Sequence, residues 1–194
     1  MKINDYQDVI TKFDRDITMH VESLKEHISD IRFDTENAVC FTLSDDFDSS
    51  LFLKKEKKQG LYMFELNLDT YLNAGVRRET RIKNFAQAWK KKKQDSFFSS
   101  STIQKRLKVR EVFKEQWLPI YIGKNKNIYC RIREHIDLSP QKQTYAMKLR
   151  HRTNLHGLEF RVSTIELDVK NYDFIVPYVE KSLREEYHPI IGKQ

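Results

Sequence analysis

The sequence predicts an α+β fold, a small domain of short strands and helices preceded by a helical arm and interrupted by a basic helical insertion. Three features carry this expectation. Apolar residues recur every seven positions through the first 31, strict two-residue alternation occupies 60 to 68, and strand-like and helix-like stretches then alternate to the end. At 194 residues with 39% apolar side chains, the chain can bury one core and an appendage.

Residues 3 to 31 place Ile3, Ile10, Ile17, Leu24 and Ile31 seven apart, with Tyr6, Phe13, His20 and His27 at the complementary positions. This is the pattern of one long amphipathic helix. Its charges lean acidic (Asp5, Asp8, Asp14, Asp16, Glu22, Glu26, Asp30), so it suits packing on the core or on a second subunit better than contact with phosphates. His20 and His27 are expected to be half-buried packing residues, not ligands. AVCFTL, 38 to 43, predicts a strand followed by a polar turn, and GLYMFELNL, 60 to 68, predicts a second. In the second strand Tyr62, Phe64, Leu66 and Leu68 share one face, while Leu61, Met63 and Glu65 share the other. The expected organisation is an arm over 1–58, helix plus strand, and a main domain over 59–194.

Between Gly75 and Lys114, thirteen Lys and Arg face three acidic residues, a balance of +10 that exceeds the +7 of the whole chain. Phe85, Trp89, Phe97, Phe98 and Phe113 interleave with these charges, and SFFSSST at 96 to 102 predicts a break between two helices. The plain reading is a solvated helical hairpin with its aromatics turned inward. Because crowded lysines without carboxylate partners repel one another, the segment as a unit is expected to face phosphates. Its candidate DNA contacts are Arg77, Arg78, Arg81, Lys90, Lys91, Lys92, Lys93, Lys105, Arg106, Lys108 and Arg110. The remaining elements are a strand at 119–122, a helix from about 127 to 135, a helical or loop stretch at 144–155, a strand at 158–167 and a helix at 173–187.

Two cysteines, Cys40 and Cys130, in no CxxC spacing suggest neither a disulfide framework nor a thiolate metal site. The start lacks the apolar core of a signal peptide, and no apolar run approaches the roughly 20 residues of a spanning helix. A cytoplasmic protein with no membrane contact is expected.

PIYIGKNKNIYCRIREHI, 119 to 136, sets Arg131 and His135 four apart on one helix face, beside the apolar stripe of Ile128, Ile132 and Ile136. Hydrolysis of a phosphodiester needs a base to activate water, a cation to steady charge on phosphorus-bound oxygen, and usually a carboxylate-held metal. Arginine offers phosphate a planar fork that lysine does not.

Gly60-Leu61-Tyr62, Tyr121-Ile122-Gly123, Arg131 eight residues later, His135, and Glu180 in YVEKSLREEYHP form an ordered set that resembles the GIY-YIG nuclease family over roughly residues 59 to 192. The resemblance implies a small three-stranded antiparallel sheet flanked by helices and cleavage of DNA with one divalent cation, Mg²⁺ or Mn²⁺. It implies that Tyr62 acts as general base once its pKa is lowered from near 10 by Lys124, His135 or the metal. Tyr121 would bind the phosphate or metal-bound water, and Arg131 would stabilise the pentavalent state. Glu180 would hold the metal, and His135 would hydrogen-bond Tyr62 and join a proton relay. Each residue also has a plainer reading: surface-reaching strand tyrosines, Arg131 paired with Glu134 or Asp137, Glu180 paired with Arg184, and His135 capping its helix.

Two departures stand out. Gly192 occupies the position, three after Pro189, where the family often carries an Asn, and 58 residues (63–120) separate the two tyrosine motifs where compact members have a hairpin turn. That insertion, most distinct at about 70–116, holds the basic segment. The function expected is a sequence-specific, restriction-type DNA endonuclease, with a homodimer through residues 3 to 31 to cut both strands. Its rivals are a structure-selective repair or mobile-element nuclease and a nuclease-like domain that binds without cutting.

Overall fold

The computed structural model describes residues 3–54, 56–71, 75–91, 104–110 and 115–192. The chain divides into two compact units, 1–32 and 33–194.

The first unit is helix α1 (Ile3–Ile28), as the heptad pattern predicts. His20 and His27 are exposed, correcting the expectation of half-burial. Each sits one residue, about 100° of helical turn, from the buried Val21 and Ile28. His27 Nδ1 lies 2.8 Å from the Ser23 carbonyl and donates to it.

The second unit is built on an antiparallel sheet of β1 (Val39–Thr42), β2 (Gly60–Asn67), β3 (Trp117–Asn125) and β4 (Glu159–Glu166), in spatial order β1-β4-β2-β3. Four strands replace the expected three, because β1, read from the sequence as part of the arm, pairs with β4 from Val39↔Val162 to Thr42↔Glu159. β2 is paired on both sides and buried along its whole length. Its alternation divides two packed faces. Tyr62, Phe64 and Leu66 join one core with Ile128, Ile132 and Ile136 of α4 (Ile128–Asp137) and Ile82, Phe85 and Trp89 of α2 (Arg78–Lys91). Leu61 and Met63 point the other way, and α5 (Tyr172–Tyr187) packs on the same strands, burying Val176, Val179 and Leu183. Glu65, on that second face, is paired with Arg161 directly opposite, at 2.6 and 3.0 Å through both carboxylate oxygens. This fork satisfies a carboxylate that burial would otherwise penalise.

One irregularity positions the site. Leu66 pairs with Leu118 and Glu65 with Pro119, but Phe64 pairs with Tyr121, so Ile120 is an extra residue on β3. Strict alternation from Leu118 would send Tyr121 to the face opposite Tyr62; the bulge brings it to the same face. Pro119 stands here at a sheet edge, where a strand tolerates a missing N–H.

The stretch predicted as helix or loop over 144–155 is irregular, with two short 3-10 turns, Leu149–His151 and Thr153–Leu155. Buried cations fix it. Lys148, at φ 56°, donates from Nζ to the carbonyls of Pro140 (2.9 Å) and Lys142 (2.7 Å). Arg152 lies 3.7 Å over the Trp89 ring and donates to Met147 O at 2.9 Å, and burial brings its pKa down to about 9. Cys40 and Cys130 are free thiols. Among the described residues no helix is long and apolar enough to cross a membrane.

Candidate active site

Tyr62 on β2 and His135 on α4 meet inside the first core: Tyr62 Oη lies 2.9 Å from His135 Nε2, with the side chains 1% and 0% exposed. The Met147 backbone N–H donates to His135 Nδ1 at 3.0 Å. Nδ1 is therefore the acceptor of a neutral ring, and the proton sits on Nε2, which donates to the phenol oxygen. Burial, and then the Arg131 cation, hold the His135 pKa well below its usual value, in keeping with that neutral state. This corrects two expectations. His135 is not a cation that lowers the Tyr62 pKa, and its ring has no vacant nitrogen to take the phenol proton. The Tyr62 pKa is raised well above its ordinary value by burial and by Tyr121, with Arg131 opposing.

Tyr121 stacks on Tyr62 with ring centroids 6.2 Å apart and meets the His135 ring at a tilt of 50°, centroids 4.7 Å apart. Gly123 lies directly under this pair. A β-carbon there would fall 2.4 Å from Tyr62 Oη and 2.8 Å from Tyr121 Cε1. Gly60, at φ 154°, is pressed against β4, where a β-carbon would meet Ile165 O at 1.9 Å. Both motif glycines thus answer to close approach.

Arg131 is the cation common to the cluster, since its charge lowers the pKa of Tyr62, Tyr121 and His135 alike. It also makes a hydrogen-bonded ion pair with Glu134, one of its plainer readings. Glu180 on α5 faces Tyr121, whose pKa rises chiefly by burial and further through the Glu180 charge. Its Oε2 accepts from Lys124 Nζ at 2.8 Å, and Oε1 lies 3.8 Å from Arg184 Nη1. The plainer Glu180–Arg184 pairing is thus present beside a closer one to Lys124. Six residues chosen from the sequence, Tyr62, Tyr121, Lys124, Arg131, His135 and Glu180, therefore form one connected set drawn from β2, β3, α4 and α5.

A divalent cation would find Glu180 as its carboxylate. Tyr172 Oη is buried with no hydrogen-bond partner among the described residues, and its pKa is pushed up to about 12 by burial and then by the Glu180 and Asp173 charges. One carboxylate with a phenol oxygen in its field fits a hard ion that keeps most of its waters, provided Lys124 releases Glu180. Among the described residues no three His, Cys, Asp or Glu side chains gather into a closed cage.

The basic candidates separate. Arg77, Lys90, Lys91, Lys105 and Lys108 are exposed, and Arg78 is half-buried. Arg81 is a correction: it is 8% exposed and donates to Val76 O and Leu68 O, both at 2.9 Å, and to Asp69 at 3.3 Å. It ties the start of α2 to the end of β2. Arg106 on α3 (Gln104–Arg110) donates to Pro189 O at 3.2 Å. Lys92, Lys93, the 96–102 break, Phe113 and the Arg110 side chain lie outside the described residues. Sequence reasoning missed the Met147 N–H, which has no side-chain signature. It also missed Tyr172, and it saw Arg184 only as an ion-pair partner.

Comparison of the chain with protein-family models, curated proteins and solved structures finds no match.

Proposed function

We propose that the chain is a metal-dependent endonuclease that hydrolyses phosphodiester bonds in double-stranded DNA, of the GIY-YIG kind and restriction type. One observation carries the reading: two strand tyrosines on one sheet face, joined through a buried neutral histidine, lie in the field of Arg131 with the Glu180 carboxylate beside them. Glu180 would hold Mg²⁺ or Mn²⁺, whose positive charge would offset the negative charge growing on the phosphate oxygens. The remaining work belongs to the chain. Tyr62 Oη already accepts the Nε2–H of His135, so its own hydrogen is directed elsewhere. Once its proton has left to solvent past the Tyr121 hydroxyl, with which it shares a hydrogen bond, the Tyr62 oxygen takes a proton from the attacking water, with His135 Nε2–H and Arg131 stabilising the phenolate. Tyr121 orients the phosphate, and Arg131 neutralises its growing charge. Exposed Lys90, Lys91, Lys105 and Lys108 hold the duplex by its backbone. Two copies joined through α1 would cut both strands.

A second reading has its own support. Lys124 and Arg184 already satisfy Glu180, and the Tyr62 phenol is hard to ionise, as suits a domain that binds DNA without cutting. Mixed plasmid DNA incubated with Mg²⁺, with and without chelator, decides between them. Chelator-sensitive cutting that Tyr62→Phe abolishes while binding persists supports the nuclease, and no cleavage of any substrate supports the binder. Sequencing the ends separates discrete sites from cuts confined to branched or damaged DNA.

A further inference from the structure

We infer that Arg152 is a positioning residue that ties the end of α2, a helix of the basic insertion, to the Tyr62–His135 pair and fixes His135 as a hydrogen-bond donor to Tyr62. Its consequence for cutting rests on the nuclease reading; the linkage itself rests on an unbroken run of contacts. The run starts on α2. Ala88 and Trp89 stand in the last turn of that helix, where carbonyls look outside the helix for partners. Two side chains of the irregular stretch after α4 supply them: Arg152 Nη1 donates to Trp89 O at 3.2 Å, and Asn154 Nδ2 donates to Ala88 O at 2.9 Å. The Arg152 guanidinium lies 3.7 Å over the Trp89 ring and is 1% exposed. An apolar side chain would cover that ring without the cost of burying a charge, so the guanidinium is explained by the carbonyls it serves on both sides.

The other side is Met147. Arg152 Nε donates to Met147 O at 2.9 Å, and the Met147 N–H donates to His135 Nδ1 at 3.0 Å. Met147 is fully buried and is followed by Lys148 in the left-handed region at φ 56°, whose ammonium is tied to the carbonyls of Pro140 and Lys142. With its carbonyl and the next residue both held, Met147 aims its N–H at the imidazole. Remove the guanidinium, and the Met147 carbonyl is stranded in the interior; the backbone must move to find it a partner, taking the N–H off Nδ1. That bond decides what His135 does. With Nδ1 engaged as acceptor, the ring proton stays on Nε2 and points at Tyr62 Oη, 2.9 Å away, where it steadies negative charge. With Nδ1 free to carry the proton, Nε2 becomes an acceptor that draws the phenol hydrogen to itself, and a phenolate finds no donor there. The insertion thus buttresses the site as well as carrying the exposed Lys90 and Lys91.

The test is the long-range proton–nitrogen correlation spectrum of the isotope-labelled full chain, in chelator at mildly alkaline pH, which reads the tautomer of each imidazole. The His135 signals are those missing from His135→Gln. The wild type should carry the proton on Nε2. Arg152→Met, which keeps contact with the Trp89 ring and loses the donors to Met147 and Trp89, should move the equilibrium toward Nδ1–H by about tenfold, the size of one lost hydrogen bond. If Arg152→Met does not fold, Arg152→Lys, whose single ammonium cannot span the two carbonyls, is measured in its place and should shift it in the same direction. Arg81→Ala, which frees the start of α2 from the carbonyls of Val76 and Leu68, should be less stable yet keep the wild-type tautomer. With Mg²⁺ and plasmid DNA, the Arg152 variant should lose about tenfold in kcat at unchanged KM. A wild type with the proton on Nδ1, an unshifted spectrum in the folded Arg152 variant, an equal shift in Arg81→Ala, or a wild-type kcat despite the shift overturns the positioning role. Metal-dependent cutting with an unshifted spectrum removes that role and leaves the nuclease. A shifted spectrum in a protein that cuts nothing removes the nuclease and leaves Arg152 as the residue that sets the histidine.

Discussion

His135 acts as a neutral donor, and its neighbours enforce that state from both sides. Met147 N–H occupies Nδ1, Tyr62 Oη occupies Nε2, and burial with the Arg131 charge opposes protonation. Because its folded pKa lies below the unfolded 6.5, the unfolded chain binds the extra proton first. The stability this histidine supports is present above about pH 6.5 and is lost as pH falls, by up to about 1.4 kcal/mol per pH unit. Urea titrations at pH 7 and pH 5 should show that loss in the wild type and not in His135→Gln. Tyr62 gives the complementary kinetic expectation. Its raised pKa leaves little phenolate at neutral pH, so cleavage should climb about tenfold per unit from pH 7 to 9 at saturating metal. Tyr62→Phe should abolish it, and a flat profile would exclude the phenolate as base. Arg131 and His135 were legible because their side-chain types stand four apart on one helix face, whereas Tyr62 and Tyr121 were singled out by the family resemblance that their motifs carry. The partner that sets the histidine's tautomer was not, because a backbone N–H looks the same at every residue.

The elements divide in the same way. Alternation in GLYMFELNL revealed both faces of β2, yet nothing in PIYIG marks Ile120 as the extra residue, since a bulge exists only in the pairing of two strands. The glycines at its mouth are checkable. Gly123→Ala would drive a methyl into Tyr62 Oη and Tyr121, and should destabilise the fold by about 1–3 kcal/mol while removing cleavage, as thermal melts and plasmid assays would record. On α2, burial separates basic residues that sequence alone treats as one class. Arg81→Ala should lower stability by about 1–3 kcal/mol through the stranded carbonyls of Val76 and Leu68, with the salt slope of DNA binding unchanged. Lys90→Ala and Lys91→Ala should do the reverse, each flattening the slope by up to about 0.9 with no change in melting temperature. Period and charge identified α2, whereas its division into a buried and a solvated side follows from Ile82, Phe85 and Trp89 entering the core.

Across the whole chain, charge is segregated. The 75–114 segment carries +10 of a total of +7, so the rest sums to −3, and α1 lies within that acidic remainder. An acidic helix is repelled by phosphates, which suits it to protein contact, and it exposes Tyr6, Val9, Ile10, Phe13 and Met19. Residues 1–32 form a compact unit separate from the one that contains the sheet and every candidate catalytic residue. Loss of assembly through α1 should therefore uncouple the two strand cuts without dismantling the site. A double variant, Ile10→Asp with Phe13→Asp, places two charges on the exposed apolar positions. Sedimentation equilibrium should find the wild type dimeric and the variant monomeric. On supercoiled plasmid the wild type should accumulate linear product, while the variant should stop at the nicked circle with its rate of first cutting retained. A wild type that sediments as a monomer at every concentration, or a variant that still linearises plasmid in one encounter, would place the second cut outside a dimer of this helix.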